Sequence, residues 1–94
     1  MDWELVSFVL SSKLRFRVLV ELNKARKTPS ELARLTKSHL SNVSATIREL
    51  ERKNLVRCLT PERRKKKFYD ITELGRNLLD FISKETKGRP ISPE

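Results

Sequence analysis

The sequence is poor in the residues from which catalytic and metal sites are usually built. Its 94 residues include one cysteine, Cys58, and one histidine, His39. A single cysteine forms no intramolecular disulfide and fits a reducing cytosol, and one Cys with one His cannot supply the ligand set of a metal site. The chain also lacks a nucleophile–base pair and clustered carboxylates, so an enzyme is the least favoured class. We therefore expect no catalytic residue, no metal and no cofactor.

Long apolar runs are also missing. No segment approaches the roughly 20 apolar residues needed to cross a bilayer. The acidic N-terminus, MDWELVSFVL, lacks the cleavage site of a signal peptide. Cys58 is predicted to be a half-buried strand residue, with a redox sensor as the alternative. These features favour a cytoplasmic protein, and no membrane partner is expected.

Positive charge is what the sequence has in excess. It contains 21 Lys and Arg residues against 12 Asp and Glu residues, a net charge of +9. This balance favours polyanionic partners, either nucleic acid or, less often, an anionic membrane surface. Charge alone does not distinguish DNA from RNA. The length and the hydrophobic content of 37% predict one folded domain over 1–87, followed by a Gly- and Pro-rich tail, 88–94, that is expected to be flexible.

The most informative stretch is the segment 36–57, TKSHLSNVSATIRELERKNLVR. Its apolar residues recur at helical spacing and predict a helix over about 39–54 with one buried stripe, formed by Leu40, Val43, Ile47 and Leu50. The opposite side is short and polar near its start and charged later, and comprises Ser41, Asn42, Ala45, Arg48, Glu49 and Arg52. Short polar side chains let a helix approach another surface closely. We interpret it as a recognition helix for the DNA major groove, with an ordinary surface helix as the alternative.

Helical patterns also precede this segment. Residues 3–24 are predicted to be helical, as one helix or as two that meet near Ser11–Ser12. In the next helix, Thr28, Pro29 and Glu31 have the types and spacing of an N-cap, a first helical residue and a capping box. The apolar residues expected to face the core there are Leu32, Ala33 and Leu35. A short helix, a polar turn and a longer helix form a helix-turn-helix pattern.

A basic hairpin is predicted directly after the recognition helix. Asn54 tolerates the left-handed backbone found at helix ends, and 55–59 and 67–71 have strand patterns. The segment 57–67 holds six positive residues and one negative, a net charge of +5. Two strands joined by a basic loop beside a recognition helix form the wing of a winged helix.

A last helix is predicted after Thr72, which can cap it. Its apolar stripe comprises Leu74, Leu78, Phe81 and Ile82, broadened by Leu79. Gly75 lies in the first turn and has no propensity advantage there. The close approach of another backbone is its expected reason.

Two longer phrases, ELARLTKSHLSNVSATIRELERKNLV and RCLTPERRKKKFYDITELGRNLL, resemble winged helix-turn-helix transcriptional regulators, in particular archaeal regulators related to the MarR and ArsR families. The resemblance covers about residues 12–84. Its specific pieces are Glu31-Leu32-Ala33, Val43-Ser44, the Leu50…Leu55-Val56 spacing, and Tyr69…Ile71-Thr72…Leu74-Gly75. It implies a mainly α fold with a small β-hairpin (α+β), in the order α-α-α-β-β-α. It also implies a sequence-specific regulator of transcription that binds double-stranded DNA.

The resemblance further implies which residues contact DNA. In the recognition helix and at its entrance they are Lys37, His39, Ser41, Asn42, Ser44, Ala45 and Arg48. Asn pairs with adenine, Arg pairs with guanine, and Ala contacts the thymine methyl group. In the wing they are Arg63, Arg64, Lys65, Lys66 and Lys67, expected along the phosphate backbone or in the minor groove.

Some local alternatives stay open. The turn Lys37-Ser38-His39-Leu40 departs from the pattern of the family, so either Ser38 or His39 is the helix cap, and Leu40 faces either the core or DNA. Ser44 is either a base contact or a structural hydroxyl bonded to its own backbone. His39 is either a phosphate contact or a plain cap or surface residue.

The terminal helices carry more apolar surface than one small domain needs. We expect a homodimer whose interface comprises Trp3, Phe8, Leu78, Phe81 and Ile82. A two-fold dimer would place two recognition helices about 34–36 Å apart on a roughly palindromic site. The alternative is that Trp3 and Phe8 close the core of a single chain.

Two other functions compete with DNA-binding regulation. One is an RNA-binding or ribosome-associated basic module, which usually offers stacking aromatic residues; here Phe68 and Tyr69 are the pair near the basic loop. The other is a protein-interaction winged helix in a larger assembly, where a basic wing has less purpose. The favoured interpretation is a cytoplasmic, nucleoid-associated homodimer bound to double-stranded DNA.

Overall fold

The computed structural model describes residues 2–86 of the chain. This part folds into five helices and one two-stranded antiparallel sheet: α1 (Trp3–Leu10), α2 (Lys13–Lys24), α3 (Pro29–Thr36), α4 (Leu40–Arg52), β1 (Val56–Cys58), β2 (Tyr69–Ile71) and α5 (Glu73–Thr86). The predicted helix over 3–24 is two helices that meet at Ser11–Ser12. The mainly α fold with a small hairpin is confirmed, with one more helix than the order α-α-α-β-β-α. The predicted flexible tail, 88–94, lies outside the described residues.

Side-chain caps explain where several helices begin. At the start of α3 the Thr28 hydroxyl accepts the Glu31 N–H at 3.2 Å, and the Glu31 carboxylate accepts the Thr28 N–H at 2.9 Å. At the start of α5 the Thr72 hydroxyl accepts the Gly75 N–H at 3.0 Å. These bonds satisfy amide groups that have no partner inside their own helix. The predicted capping box and the predicted Thr72 cap are confirmed.

The hydrophobic core forms where α4 packs against α2 and α3. The stripe of α4 that faces it contains Val43, Ile47 and Leu50, all buried as predicted. The whole core comprises Val6, Val9, Val18, Leu19, Leu22, Leu32, Val43, Ile47, Leu50, Leu55, Val56, Ile71, Leu78, Leu79 and Ile82. Removing these side chains from water is the main stabilising contribution in a domain of this size.

Leu35 and Leu74, which were predicted to face the core, are exposed instead, and so is Leu40, for which core and DNA-facing positions were both left open. Leu35 is 42% exposed, Leu40 is 50% exposed and Leu74 is 39% exposed. Each lies in the first or last turn of its helix, where neighbouring elements no longer cover the apolar stripe. Thr36, next to Leu35, is buried in its place, and its hydroxyl donates to the Leu32 carbonyl at 2.7 Å.

A sharp turn joins α3 to α4. Lys37 has a left-handed backbone with φ 54°, and the Ser38 N–H donates to the Ala33 carbonyl at 3.0 Å. Arg17 of α2 donates to the last two carbonyls of α3, at 3.2 and 3.4 Å. The carbonyl groups at the end of α3 therefore have partners, and α4 starts in a new direction.

The hairpin is shorter than predicted and has an additional partner. β1 and β2 have three residues each, with Val56 opposite Ile71. Lys27 and Tyr69 exchange two backbone hydrogen bonds, at 3.1 and 2.9 Å. This bridge, which the sequence did not indicate, ties the hairpin to the connection between α2 and α3.

The end of α4 and the start of α5 meet in a tight junction. Asn54 has φ 61°, so its predicted left-handed backbone is confirmed, and its carbonyl accepts the Thr72 hydroxyl at 2.7 Å. Gly75 is buried at this junction. A Cβ there would meet the Leu55 carbonyl oxygen and would lie 2.7 Å from Ile71 Cγ1. The predicted close approach of a backbone is confirmed.

Replacing Gly75 by alanine is expected to destabilise the fold. Within a helix this change normally stabilises by about 0.5–1 kcal/mol, but here the added methyl group overlaps a backbone oxygen that cannot move freely. We expect a loss of about 1–3 kcal/mol in the free energy of unfolding, measured by urea denaturation. Asn77→Ala, at an exposed position of the same helix, is the control and should be neutral or slightly stabilising. An equally stable Gly75→Ala variant would contradict the close packing.

Candidate nucleic-acid interface

The outer side of α4 is exposed, and its polar side chains have no hydrogen-bond partner among the described residues. Ser41, Asn42, Ala45 and Arg48 are exposed, opposite the buried stripe of the same helix. Within the described part of the chain, none of these four side chains forms a hydrogen bond or an ion pair. The helix therefore presents short polar groups and one guanidinium to whatever approaches it, as its sequence predicted.

The start of α4 differs from the starts of the other described helices. His39 occupies the N-cap position, but its side chain makes no capping hydrogen bond, whereas Asp2, Ser12, Thr28 and Thr72 cap α1, α2, α3 and α5. Of the two candidate caps, His39 rather than Ser38 occupies the N-cap position, although its side chain does not cap the helix. The first amide groups of α4 remain available beside the exposed side chains of Lys37 and His39. Free amide groups at a helix start favour an anion such as phosphate.

Ser44 and Leu40 lie along a cleft on one flank of α4. Ser44 is half-buried, and its hydroxyl forms no hydrogen bond among the described residues, so the structural alternative, a hydroxyl bonded to its own backbone, is not observed. Leu40 is half exposed rather than in the core. The side of α4 that faces this cleft therefore combines a free hydroxyl with an apolar side chain.

The cleft brings the wing beside α4. It has a volume of about 390 Å³, and its walls are the start of α3, the first turns of α4 and the wing. The wing residues that line it are Arg64, Lys66 and Lys67. Arg63 and Lys65 are exposed but do not line the cleft. The basic wing thus lies beside the flank of α4 that carries Leu40 and Ser44.

Hydrogen bonds from backbone N–H groups hold the base of the wing. The Leu59 N–H donates to the Phe68 carbonyl at 2.8 Å, and the Phe68 N–H donates to the Thr60 hydroxyl at 3.0 Å. A turn follows in which the Arg63 N–H donates to the Thr60 carbonyl at 3.0 Å. Lys66 takes a left-handed backbone with φ 53°. The basic residues therefore extend from a paired strand base.

The two aromatic residues of the hairpin already have partners. Burial raises the pKa of the Tyr69 phenol, and the neighbouring Cys58 thiol and Glu51 carboxylate raise it further. Cys58 is half-buried, as predicted. The Arg26 guanidinium lies 5.8 Å from the centre of the Phe68 ring. Both rings are half-buried, so neither is fully available for stacking.

Most of the predicted dimer residues are used inside the chain. Leu78 and Ile82 are buried in its own core, so their assignment to a dimer interface is wrong: they have almost no surface left for a second copy. Phe8 is half-buried, and the Arg15 guanidinium lies 4.0 Å from the centre of its ring. Trp3 is 65% exposed and meets the Phe81 ring edge-on, with the ring centres 5.5 Å apart.

Two arginines of α2 hold α3 and α4 in place, and the sequence patterns did not predict either contact. Arg17 bonds the end of α3, as described above, and Arg15 forms an ion pair with Glu49 of α4 at 3.1 Å. Both lie among the positively charged residues of α2. A positive charge on one helix and a negative charge on another carry no sequence signal of their pairing, because the contact depends on how the helices cross.

The fold and the surface define a winged helix-turn-helix. A family model, described as the methanogenesis regulatory protein FilR1, N-terminal domain, matches residues 3–84. Because the match covers nearly the whole chain, the chain belongs to this family. A search of curated protein sequences found no significant match.

Several solved structures share the fold. A mutant of MarR from E. coli, complexed with operator DNA, superposes with a TM-score of 0.74 at 21% identity; the match covers 89% of this chain and 64% of that one. The transcriptional regulator BldR from Sulfolobus solfataricus gives 0.67 at 22% identity, covering 92% and 69%. Reduced HlyU from Vibrio cholerae gives 0.69 at 17% identity, covering 89% and 92%. The predicted resemblance to MarR- and ArsR-type winged helices is confirmed.

The comparison also shows what this chain does not span. It corresponds to 64% of the length of the MarR chain.

None of the helices in residues 2–86 combines the length and apolar character needed to cross a bilayer. Over the same residues, no group of three or more His, Cys, Asp and Glu side chains could hold a metal ion.

Glu31, on the wall of the cleft, makes stability depend on pH. The hydrogen bond from the Thr28 N–H lowers the pKa of its carboxyl group below the ordinary value of 4.5. A carboxyl group with a lowered pKa stabilises the folded chain above about pH 4.5, and this contribution is lost as the pH falls through the lowered value. In Glu31→Gln the side chain no longer titrates. The free energy of unfolding should therefore decline less steeply below about pH 4.5 than in the wild type; identical declines in urea denaturation would refute the assignment.

Proposed function

We propose that this chain is a sequence-specific domain that binds double-stranded DNA and regulates transcription in the cytoplasm by occupying an operator. The observation that supports this most is an exposed outer side of α4 whose polar side chains have no hydrogen-bond partners, on a helix whose flank borders a wing segment, 57–67, with a net charge of +5. A single α-helix fits the DNA major groove, and clustered Lys and Arg residues neutralise phosphates. Bound there, the protein would alter the access of RNA polymerase.

Side chains of α4 supply the proposed base contacts. Asn42 is suited to adenine and Arg48 to guanine, because each can form paired hydrogen bonds with one base edge. Ala45 and the exposed Leu40 offer apolar contact to a thymine methyl group. Ser41 and Ser44 add hydroxyl groups that can donate to or accept from either base of a pair.

Charges around α4 supply the proposed phosphate contacts. Lys37 and His39 stand at its uncapped start, where the helix dipole also favours anions. The wing residues proposed to follow the phosphate backbone are Arg63, Arg64, Lys65, Lys66 and Lys67. Such contacts give affinity and orientation rather than sequence preference.

The hairpin favours DNA over RNA as the partner. Readers of single-stranded RNA stack bases on open aromatic faces. Here Tyr69 and Phe68 are half-buried, and the guanidinium of Arg26 lies 5.8 Å from the centre of the Phe68 ring. Selection from a library of random duplexes at moderate salt tests the proposal, with structured and single-stranded RNA as competitors. An enriched DNA motif supports it; no motif, or stronger binding to RNA, would overturn it.

Substitutions on α4 and on the wing should have different effects. Arg48→Ala is expected to cost about 1–3 kcal/mol on the selected duplex and to relax the preference at one base pair. The double variant Arg64→Ala/Lys66→Ala should weaken binding to all duplexes and lower the slope of log K against log salt by about 2. Fluorescence anisotropy titrations at several salt concentrations measure both quantities.

Lys84→Ala is the matched charge control for these variants. Lys84 is exposed on α5, where it pairs with Asp80 at 3.3 Å, and α5 makes its main contacts with α1, α2 and β2. Its loss should leave affinity and salt slope nearly unchanged. The division into base-reading and phosphate-binding residues would be refuted if Arg48→Ala weakened all duplexes equally.

We also propose that the chain acts as a homodimer through its terminal helices. Trp3 is 65% exposed on α1 and contacts Phe81 of α5, so the two helices present aromatic surface together. An isologous contact there would set two recognition helices about 34–36 Å apart. The selected DNA motif should then contain two half-sites with centres about 10–10.5 base pairs apart.

Replacing Trp3 should weaken self-association. Trp3→Ser removes the largest exposed apolar side chain of α1 and should shift the monomer–dimer equilibrium toward monomer in sedimentation-velocity experiments. Leu74→Ser, a comparable change at the exposed start of α5, is the control and should leave the equilibrium unchanged. A wild-type chain that sediments as a monomer at all concentrations, or a fully dimeric Trp3→Ser variant, would exclude this interface.

A further inference from the structure

A cluster of four side chains joins the N-terminal helix to the recognition helix. We call it the Phe8 clamp; it consists of Phe8 of α1, Arg15 of α2, Glu49 of α4 and Lys53, which follows α4. The Arg15 guanidinium lies 4.0 Å from the centre of the Phe8 ring, and the Lys53 Nζ lies 5.5 Å from the same centre. Cations at these distances are attracted to an aromatic ring. The Phe8 ring of α1 is therefore contacted by one cation from α2 and by another from the end of α4.

Arg15 connects α1 and α4 directly. Its Nε donates to Glu49 Oε1 at 3.1 Å. Its Nη1 donates to the Phe8 carbonyl at 2.8 Å and to the Ser11 hydroxyl at 2.9 Å. Carbonyl groups in the last turn of a helix lack partners within that helix, and the planar guanidinium holds its hydrogen-bond donors at fixed angles. The end of α1 and the C-terminal part of α4 are thus fixed to one rigid group.

The charge of Glu49 is consistent with this role. Glu49 is next to Arg48 on a helix proposed to lie against phosphates, where an unpaired carboxylate would repel DNA. The ion pair with Arg15 compensates that charge. The side chains are 21% and 39% exposed for Arg15 and Glu49, so solvent screens the pair in part and its contribution to overall stability is small. Its consequence is mainly geometric.

We infer that the Phe8 clamp is a positioning device that sets the angle of α4 against α1 and thereby the sequence preference of the protein. The inference rests on the proposed function. Because α1 carries Trp3, the residue proposed for the dimer contact, the clamp connects the dimer interface to each recognition helix. The relative tilt of the two recognition helices in the dimer follows from this connection.

The readout is a specificity ratio. It is the affinity for the selected duplex divided by the affinity for a scrambled duplex of the same length, at the same salt concentration. A change in the non-specific electrostatic contribution alters both affinities alike and cancels. A smaller folded fraction also scales both affinities by the same factor, so a merely structural defect leaves the ratio unchanged. Misplacement of α4 lowers the ratio.

The variants form a double-mutant cycle. Arg15→Met and Glu49→Gln are each expected to lower the ratio by on the order of tenfold. The double variant, which has the net charge of the wild type, should lower it no further, because both changes remove the same connection. Phe8→Leu removes the ring and should lower the ratio in the same direction. Lys13→Met is the control: Lys13 is exposed on α2 and loses the same charge as Arg15→Met, so its ratio should be that of the wild type.

Two results would overturn the inference while leaving the proposed function intact. One is a wild type with a clear preferred duplex whose ratio is unchanged in Arg15→Met or in Glu49→Gln. The other is a pair of losses that add in the double variant, since the two side chains would then act independently. A wild-type ratio near one would instead refute sequence-specific binding itself, before any variant is compared.

Discussion

The burial of one side of α4 is the constraint on which the rest of the structure depends. Val43, Ile47 and Leu50 pack against α2 and α3, and removing them from water determines how far α4 can rotate about its own axis. The opposite side then has one possible orientation, toward solvent. Hydrophobic packing inside the domain therefore orients the side chains that are available to a partner. The polar side chains of α4 do not themselves have to stabilise the domain.

The same constraint determines where the wing can lie. Asn54 reverses the chain after α4, and Thr72 and Gly75 close the junction in front of α5. The bridge between Lys27 and Tyr69 then joins the hairpin to the start of α3. Because neither attachment involves a basic side chain of the wing, the positive side chains between them can vary without changing the path of the hairpin. The charge of the wing can therefore vary while its position beside α4 stays the same.

Much of this architecture was predictable because its determinants are local. Caps such as Thr28 and the left-handed Asn54 depend on residues a few positions apart. Leu35 and Leu74 were misjudged because helical spacing identifies an apolar stripe but not the point along the helix at which neighbouring helices stop covering it. The Lys27–Tyr69 bridge consists of backbone groups, which have no sequence signature. The residues exposed at the candidate site could therefore be predicted from the sequence. The contacts that hold them in place join residues distant in the chain and could not be predicted.

The start of α4 leaves amide donors without a side-chain acceptor, unlike the other helix starts in residues 2–86. A phosphate oxygen bound there would supply the missing acceptor, and the unfolded chain offers no equivalent. By mass action, a ligand at a hundredfold excess over its Kd stabilises the folded state by about 2.7 kcal/mol. Molecules seated on a duplex would thus melt at a higher temperature and resist proteases better than free ones, so that the lifetime of the protein is coupled to its occupancy.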